Sequence, residues 1–168
     1  HKKYYHPSNS YLYLYGNMDM EEKVNWIDEN YLSHFEKIEV DSEVRLQKPF
    51  AERKEEYGFY SVTEGEDTEG KAYFSYNTVC GDGLDRNLYR AFPVLSYVLV
   101  QSIGAPLKQA LLDAGIGNDI SCYYEESVRQ PFFSIIAKNV KMEQKQQFIN
   151  VIETELKKIV KEGLNQQS

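Results

Sequence analysis

The sequence predicts an α+β fold: a two-layer sandwich whose mostly antiparallel sheet, of about five strands, carries its helices on one face. Three observations lead there. Segments rich in Tyr, Phe, Val and Thr come as neighbours, at 52–63 with 71–80 and at 118–126 with 130–140, each pair parted by polar or turn-forming residues. A helical stripe of Phe148, Ile149, Ile152, Leu156, Ile159 and Val160 runs along 142–162, about five turns. The full order reads β-α-β-β-α-α-β-β-α, with no internal repeat and no low-complexity tract.

Taken in order, Lys2-Lys3-Tyr4-Tyr5 reads as the end of a helix, stopped where Pro7 fixes its own φ and pushes His6 out of the helical region. Tyr11, Tyr13 and Tyr15 alternate with Leu12 and Leu14, the period-2 pattern of a strand, which Gly16-Asn17 ends. Asp19 followed by Glu22 reads as a capping box, opening an amphipathic helix over 20–37 with Val24, Ile27, Tyr31 and Phe35 on one side. Residues 38–50 form a connecting segment with room for a short edge strand. The polar run 64–70 is the turn of the first hairpin. After Gly81-Asp82-Gly83, Leu88, Phe92, Leu95, Leu99 and Ile103 trace a helix that Pro93 should kink or delay. A further helix opens at Pro106, with Leu107, Ala110, Leu111 and Ala114 on one face, and ends at Gly115. The tail 164–168 is expected to fray.

Composition bounds the function. A chain of 168 residues, 42% hydrophobic and 27% charged, is expected to form a single domain, 1–168, with a core of its own. Aromatic content is high, at 14%, with 14 Tyr. The net charge of −7, with no basic arm, argues against nucleic acid or an anionic membrane as partner. The longest apolar run, 91–100, is about half of the roughly 20 residues that span a bilayer. Cys80 and Cys122 stand far apart without a CxxC pattern, so they are expected to be free thiols of a reducing, cytoplasmic compartment.

Local chemistry supplies no catalytic group. A zinc hydrolase needs two imidazoles and a carboxylate at HxxEH or HExxH spacing, and the three histidines, His1, His6 and His34, offer neither. The cysteines have no neighbouring His or basic residue to lower a thiol pKa. Glu55-Glu56 and Glu125-Glu126 are adjacent on expected strands and point to opposite faces, so neither pair can share a substrate atom. "GDGLDR" and "AGIGND" lack the spacing of phosphate cradles. The Tyr11, Tyr13, Tyr15 ladder has no interleaved Lys or Arg and reads as strand packing rather than a base-stacking platform.

"YYHPSNSYLYLYGNMDMEEKVNWIDENYL" resembles the second homologous domain of pitrilysin/insulysin-type zinc metallopeptidases, the inverzincin family. "SYVLVQSIGAPLKQALLDAGIGNDISCYY" and "QPFFSIIAKNV" continue the resemblance through nearly the whole chain, nearest to the presequence protease branch that processes free peptides. The resemblance implies the α+β sandwich of the metallopeptidase/mitochondrial processing peptidase-like domain. It also implies a non-catalytic piece of a longer chain, inactive alone, whose first domain carries zinc on HxxEH and a downstream Glu. The expected partners are that catalytic zinc-binding domain of the same polypeptide and peptide substrates, in the bacterial cytosol or an organelle matrix. No cofactor is expected in this segment. The alternative role, known from non-peptidase relatives, is a scaffold or interaction domain of the same fold with no peptidase partner.

The resemblance also places an exosite that holds a peptide's N-terminal end by strand addition, at Ile103, Gly104, Ala105 and Pro106 with Ile120, Ser121, Cys122 and Tyr123. A small-residue turn lets a backbone approach, and an exposed strand edge offers unpaired N–H and C=O groups. Insulysin-like members have more glycines where this chain has Ala105-Pro106 and Cys122-Tyr123. The same turn reads equally as one helix ending at Gly104 and the next starting at Pro106.

Overall fold

The computed structural model describes residues 1–164, and the expectation of a frayed tail lies, but for Leu164, outside the described residues. They fall into two compact units, one of His1–Arg45 and one beginning at Leu46.

The first unit opens with a hydrogen-bonded turn at residues 2–4 and a 3-10 turn at Pro7–Asn9, capped where His6 Nδ1 accepts the Ser8 N–H at 3.2 Å. Helix α1, Met20–Asn30, starts where the sequence places it, with the Glu22 N–H donating to Asp19 Oδ1 at 3.0 Å. It ends earlier than expected, and Leu32–His34 follow as a 3-10 turn. The expected strand at Tyr11–Tyr15 is absent: the segment is extended but has no ladder, and Tyr11, Tyr13 and Tyr15 are all more than four-fifths exposed. Alternation of bulky residues defines two faces, but a strand forms only where a neighbour takes up its N–H and C=O groups. The Ser8 hydroxyl takes the Ile38 N–H at 3.1 Å, and His6 packs edge-on to Phe35 at 5.4 Å.

The second unit holds the sheet. Strands β1 (Ala72–Val79), β2 (Asp119–Glu125) and β3 (Phe132–Val140) lie in the order β1-β3-β2, every pair antiparallel. The α+β class and the antiparallel sheet hold, with three strands among the described residues rather than about five. The second hairpin forms as β2 and β3. Of the first, only β1 is a strand, since 52–63 stays irregular: its charged run 52–56 and Gly58 weigh against a ladder.

Helices α2 (Arg86–Ser96), α3 (Pro106–Asp113) and α4 (Lys145–Glu162) supply the second layer. Phe74, Ile120, Phe133, Ile135 and Ala137 on the sheet are buried together with Leu107, Leu111, Phe148, Ile149 and Ile152 from the helices. Their register explains this: Ala137 lies opposite both Phe74 and Ile120, and Ile135 opposite both Tyr76 and Cys122, so one face gathers the apolar residues. The other face carries exposed Tyr73, Val79 and Tyr123.

Helix α2 runs through Pro93 rather than being delayed by it. Just beyond, Tyr97–Gln101 form a π-helical turn closed by the Ser102 N–H donating to the Tyr97 carbonyl at 2.8 Å. The inserted residue changes the buried set. Ser96, Leu99 and Val100 face inward, while Leu95 is 36% and Ile103 98% exposed, contrary to the simple 3-4 stripe. Gly117 has φ +63°, and a Cβ there would lie 2.5 Å from the Lys138 carbonyl oxygen, so the turn into β2 requires glycine.

Candidate functional site

The site expected from the sequence is built by the end of the α2 helix, the turn into α3 and strand β2. The turn is tight: the Ala105 N–H donates to the Ser102 carbonyl at 3.2 Å, Gly104 adopts φ +74°, and Pro106 takes the first position of α3. Ala105 is buried, whereas Ile103 projects almost fully into solvent. Nothing lies within 4 Å of a Cβ built on Gly104, so the backbone there is open to approach.

Strand β2 is an edge strand, pairing with β3 on one side and with no other strand among the described residues. Alternate N–H and C=O groups along its outer side therefore find no ladder partner, the feature that strand addition needs. Its side chains divide by parity. Ile120, 2% exposed, and Cys122 point into the helix layer, and Ser121 and Tyr123 lie on the open face. Of the four strand residues proposed for the site, two can therefore offer only their backbone.

The Cys122 thiol meets the helix end, with Sγ 3.5 Å from the Ser96 carbonyl oxygen and 3.6 Å from Gln101 Nε2. Burial pushes this thiol pKa up, against smaller opposing effects of Gln101 and Ser96, and burial also raises that of Cys80. Neither is poised as a nucleophile. At the far end of the strand, the Tyr123 hydroxyl donates to Glu125 Oε2 at 2.5 Å, and the Ser127 N–H donates to Glu125 Oε1 at 2.9 Å. Hydrogen bonds from Ser127, then from Tyr123, hold the Glu125 carboxyl below the usual carboxylate range.

Zinc does not fit the described residues of this chain. No group of three or more His, Cys, Asp or Glu that could hold a metal occurs among the described residues. His6 is engaged with Ser8 and Phe35, and His1 stacks on Tyr5 at 4.3 Å. No helix among the described residues is long and apolar enough to cross a membrane. Missed by the sequence reading were the π turn, which carries no sequence mark, and the contacts of Arg53, Glu55, Tyr57 and Tyr60. A charged run, 52–56, followed by three aromatic residues, Tyr57, Phe59 and Tyr60, was their only signal.

A three-stranded antiparallel sheet with a helix layer and an edge strand that has one strand partner among the described residues defines an α+β module. Comparison with known proteins makes this specific. Residues 1–168 match the family described as the peptidase M16 inactive domain, and the chain belongs to that family. It is 45% identical over 167 residues to Protein HypA of Clostridium perfringens, covering 99% of this chain and 17% of that protein. It is 29% identical over 169 residues to presequence protease 1, chloroplastic/mitochondrial, of Arabidopsis thaliana, covering 98% of this chain and 16% of that protein. The mitochondrial presequence protease of Xenopus tropicalis is 26% identical over 171 residues, with 98% of this chain and 16% of that protein covered. The chain thus spans about a sixth of the length of the curated relatives it matches.

Proposed function

We propose that residues 1–168 act as one non-catalytic domain of a zinc-dependent endopeptidase of the inverzincin type, forming part of the chamber wall and contacting peptide substrates. In this reading zinc and the catalytic groups sit in another domain of the same polypeptide, which works in the bacterial cytosol. The peptide's N-terminal end adds as a strand to β2, beside the Gly104–Pro106 turn. The observation that carries the reading is the free edge of β2 in a domain whose family match runs over the whole chain. Backbone pairing of this kind gives affinity without demanding a particular sequence, which suits an enzyme acting on many peptides.

The test uses the full-length enzyme. Cys122→Pro removes an outward-facing backbone donor from β2, since Ser121 and Tyr123 are the residues whose backbone groups turn to β3, and KM is expected to rise several-fold more for long peptides, which can reach both the edge and the reaction centre, than for short ones. Equal effects on both lengths overturn the exosite. An encoded parent chain without an HxxEH sequence would overturn the peptidase assignment and leave a scaffold role. Zinc-dependent cleavage by residues 1–168 alone, lost with EDTA, would overturn the non-catalytic assignment.

A further inference from the structure

An added strand meets side chains as well as backbone, and the register of β2 fixes which. Ser121 and Tyr123 turn their backbone groups to β3, so the outward groups of the strand belong to Ile120, Cys122 and Tyr124. No backbone–backbone hydrogen bond from outside the sheet reaches these three among the described residues. A peptide laid antiparallel along the outer side therefore bonds to them, and its residues opposite Ser121, Tyr123 and Glu125 fall in the non-hydrogen-bonded pairs. There the side chains stand closest, and on β2 those pairs lie on the open face.

Charge is uneven along that face. Asp119, at the start of β2, is paired with Lys138 Nζ at 2.9 Å, and Ser121 is uncharged. Glu125, at the end, has no such partner among the described residues: hydrogen bonds from Ser127 and Tyr123, not a cation, hold its carboxyl below the usual carboxylate range. Arg129, the nearest cation in sequence, is taken by Asp82 at 3.0 Å. The Glu125 carboxylate is also fixed in place. The Ser127 N–H and hydroxyl both donate to Oε1 and the Tyr123 hydroxyl donates to Oε2, which leaves about one of its roughly four acceptor sites, on Oε2, open. The Tyr123 ring beside it is 51% exposed.

We infer that the β2 edge selects peptides carrying a lysine or arginine in register with Glu125, whose open acceptor site on Oε2 takes one N–H of the cation. The residue two further along the peptide then lies opposite Tyr123 and packs on its ring. The inference rests on the proposed strand addition to β2 and names the side chain that the added strand carries. Antiparallel pairing puts the peptide's N-terminus at the Glu125 end, so the basic residue belongs to the first few residues of the peptide. A carboxylate already held by three hydrogen bonds loses little freedom on pairing, which is why Glu125, rather than exposed Glu126 beside it, gives selection at one position.

A lysine scan of the substrate tests it in the full-length enzyme. In a neutral peptide long enough to reach both the edge and the reaction centre, one lysine is moved through the first few positions, with norleucine at the same position as reference. The scan is run on N-acetylated peptides and repeated with a free α-amino group. KM is expected to be about three- to fivefold lower for lysine than for norleucine at one position only, in both series, and about 0.5 M NaCl should remove most of the difference. Glu125→Gln, which keeps an acceptor for the Ser127 N–H, should bring the ratio to about one, and Glu125→Lys should favour a glutamate at that position. Glu126→Gln should leave the lysine preference as it is. Should the Glu125 variants lose their fold, the scan and its salt dependence on the wild type carry the comparison, since only a localised carboxylate gives a preference at a single position. An equal gain from lysine at every position, no gain at any, a preference unchanged in Glu125→Gln, or one that appears only with a free α-amino group would each overturn the assignment. Strand addition is judged separately by Cys122→Pro. A length-dependent rise in KM without any lysine preference leaves the exosite standing and removes only its selectivity for basic residues, whereas equal effects on both lengths remove both.

Discussion

The two units use the same kinds of residue to opposite effect. In His1–Arg45, Tyr11, Tyr13, Tyr15, Trp26 and Val24 are all more than half exposed, and no residue is buried. In the unit beginning at Leu46, Leu107, Leu111, Ile116, Ala137, Val140 and Ile152 are completely buried. The difference is not hydrophobicity but whether opposing surfaces exist. A strand paired in register with two neighbours under a helix layer has something for each inward side chain to touch; an extended run without a ladder does not. Aromatic density in a sequence therefore measures what a segment could bury, not what it does bury.

The sharpest way to break this comparison is to hollow the buried side. Ile152→Ala, on the inner face of α4, is expected to cost about 2–5 kcal/mol, read as a lower urea midpoint by far-UV circular dichroism. Next comes backbone strain: Gly117→Ala forces a side chain onto φ +63° and against the Lys138 carbonyl, with an expected cost of about 1–3 kcal/mol in the same assay. A cost below about 0.5 kcal/mol there would mean that the turn into β2 yields easily.

A shallower effect is expected with pH. Glu55, through its hydrogen bond with Lys145, and Glu125, through those from Ser127 and Tyr123, have carboxyl pKa values below the ordinary glutamate value. A depressed folded-state pKa means stability that is fully present above the unfolded pKa and lost as pH falls through the folded one. Urea midpoints should therefore hold level from pH 7 to about pH 5 and decline below, with Lys145→Met flattening the decline. Smallest of all, Tyr13→Ser should move the midpoint by less than about 0.5 kcal/mol, as for an exposed side chain; a larger loss would show that the tyrosine run is packed after all.

Much of the second unit was legible because its signals are redundant. The stripe from Phe148 to Ile159 repeats often enough to specify α4, and the turn residues between 126 and 131 fix the β2–β3 hairpin. Asp19 and Glu22 mark the start of α1 because capping is a local contact between neighbours in sequence. The Tyr11–Tyr15 ladder and the 52–63 segment misled for a common reason: a strand is defined by its partner, which its own residues do not contain. At the candidate site, the Gly104–Pro106 turn was readable from residue types, and so was a strand running through Ile120 to Tyr123. Which parity faced inward was not, since that depends on the register with β3.

The π turn at Tyr97–Gln101 bears on how this protein tolerates length changes. It holds one residue more than an α-helical turn needs, which is how such turns arise from single-residue insertions. Deleting one residue there would restore even winding and, because the bulge absorbs a single extra residue, leave the Gly104 turn and the start of α3 close to their present bearing. The helix is thus a place where the chain can lose one residue at small structural cost, unlike the paired strands, where a one-residue change would turn every side chain to the other face.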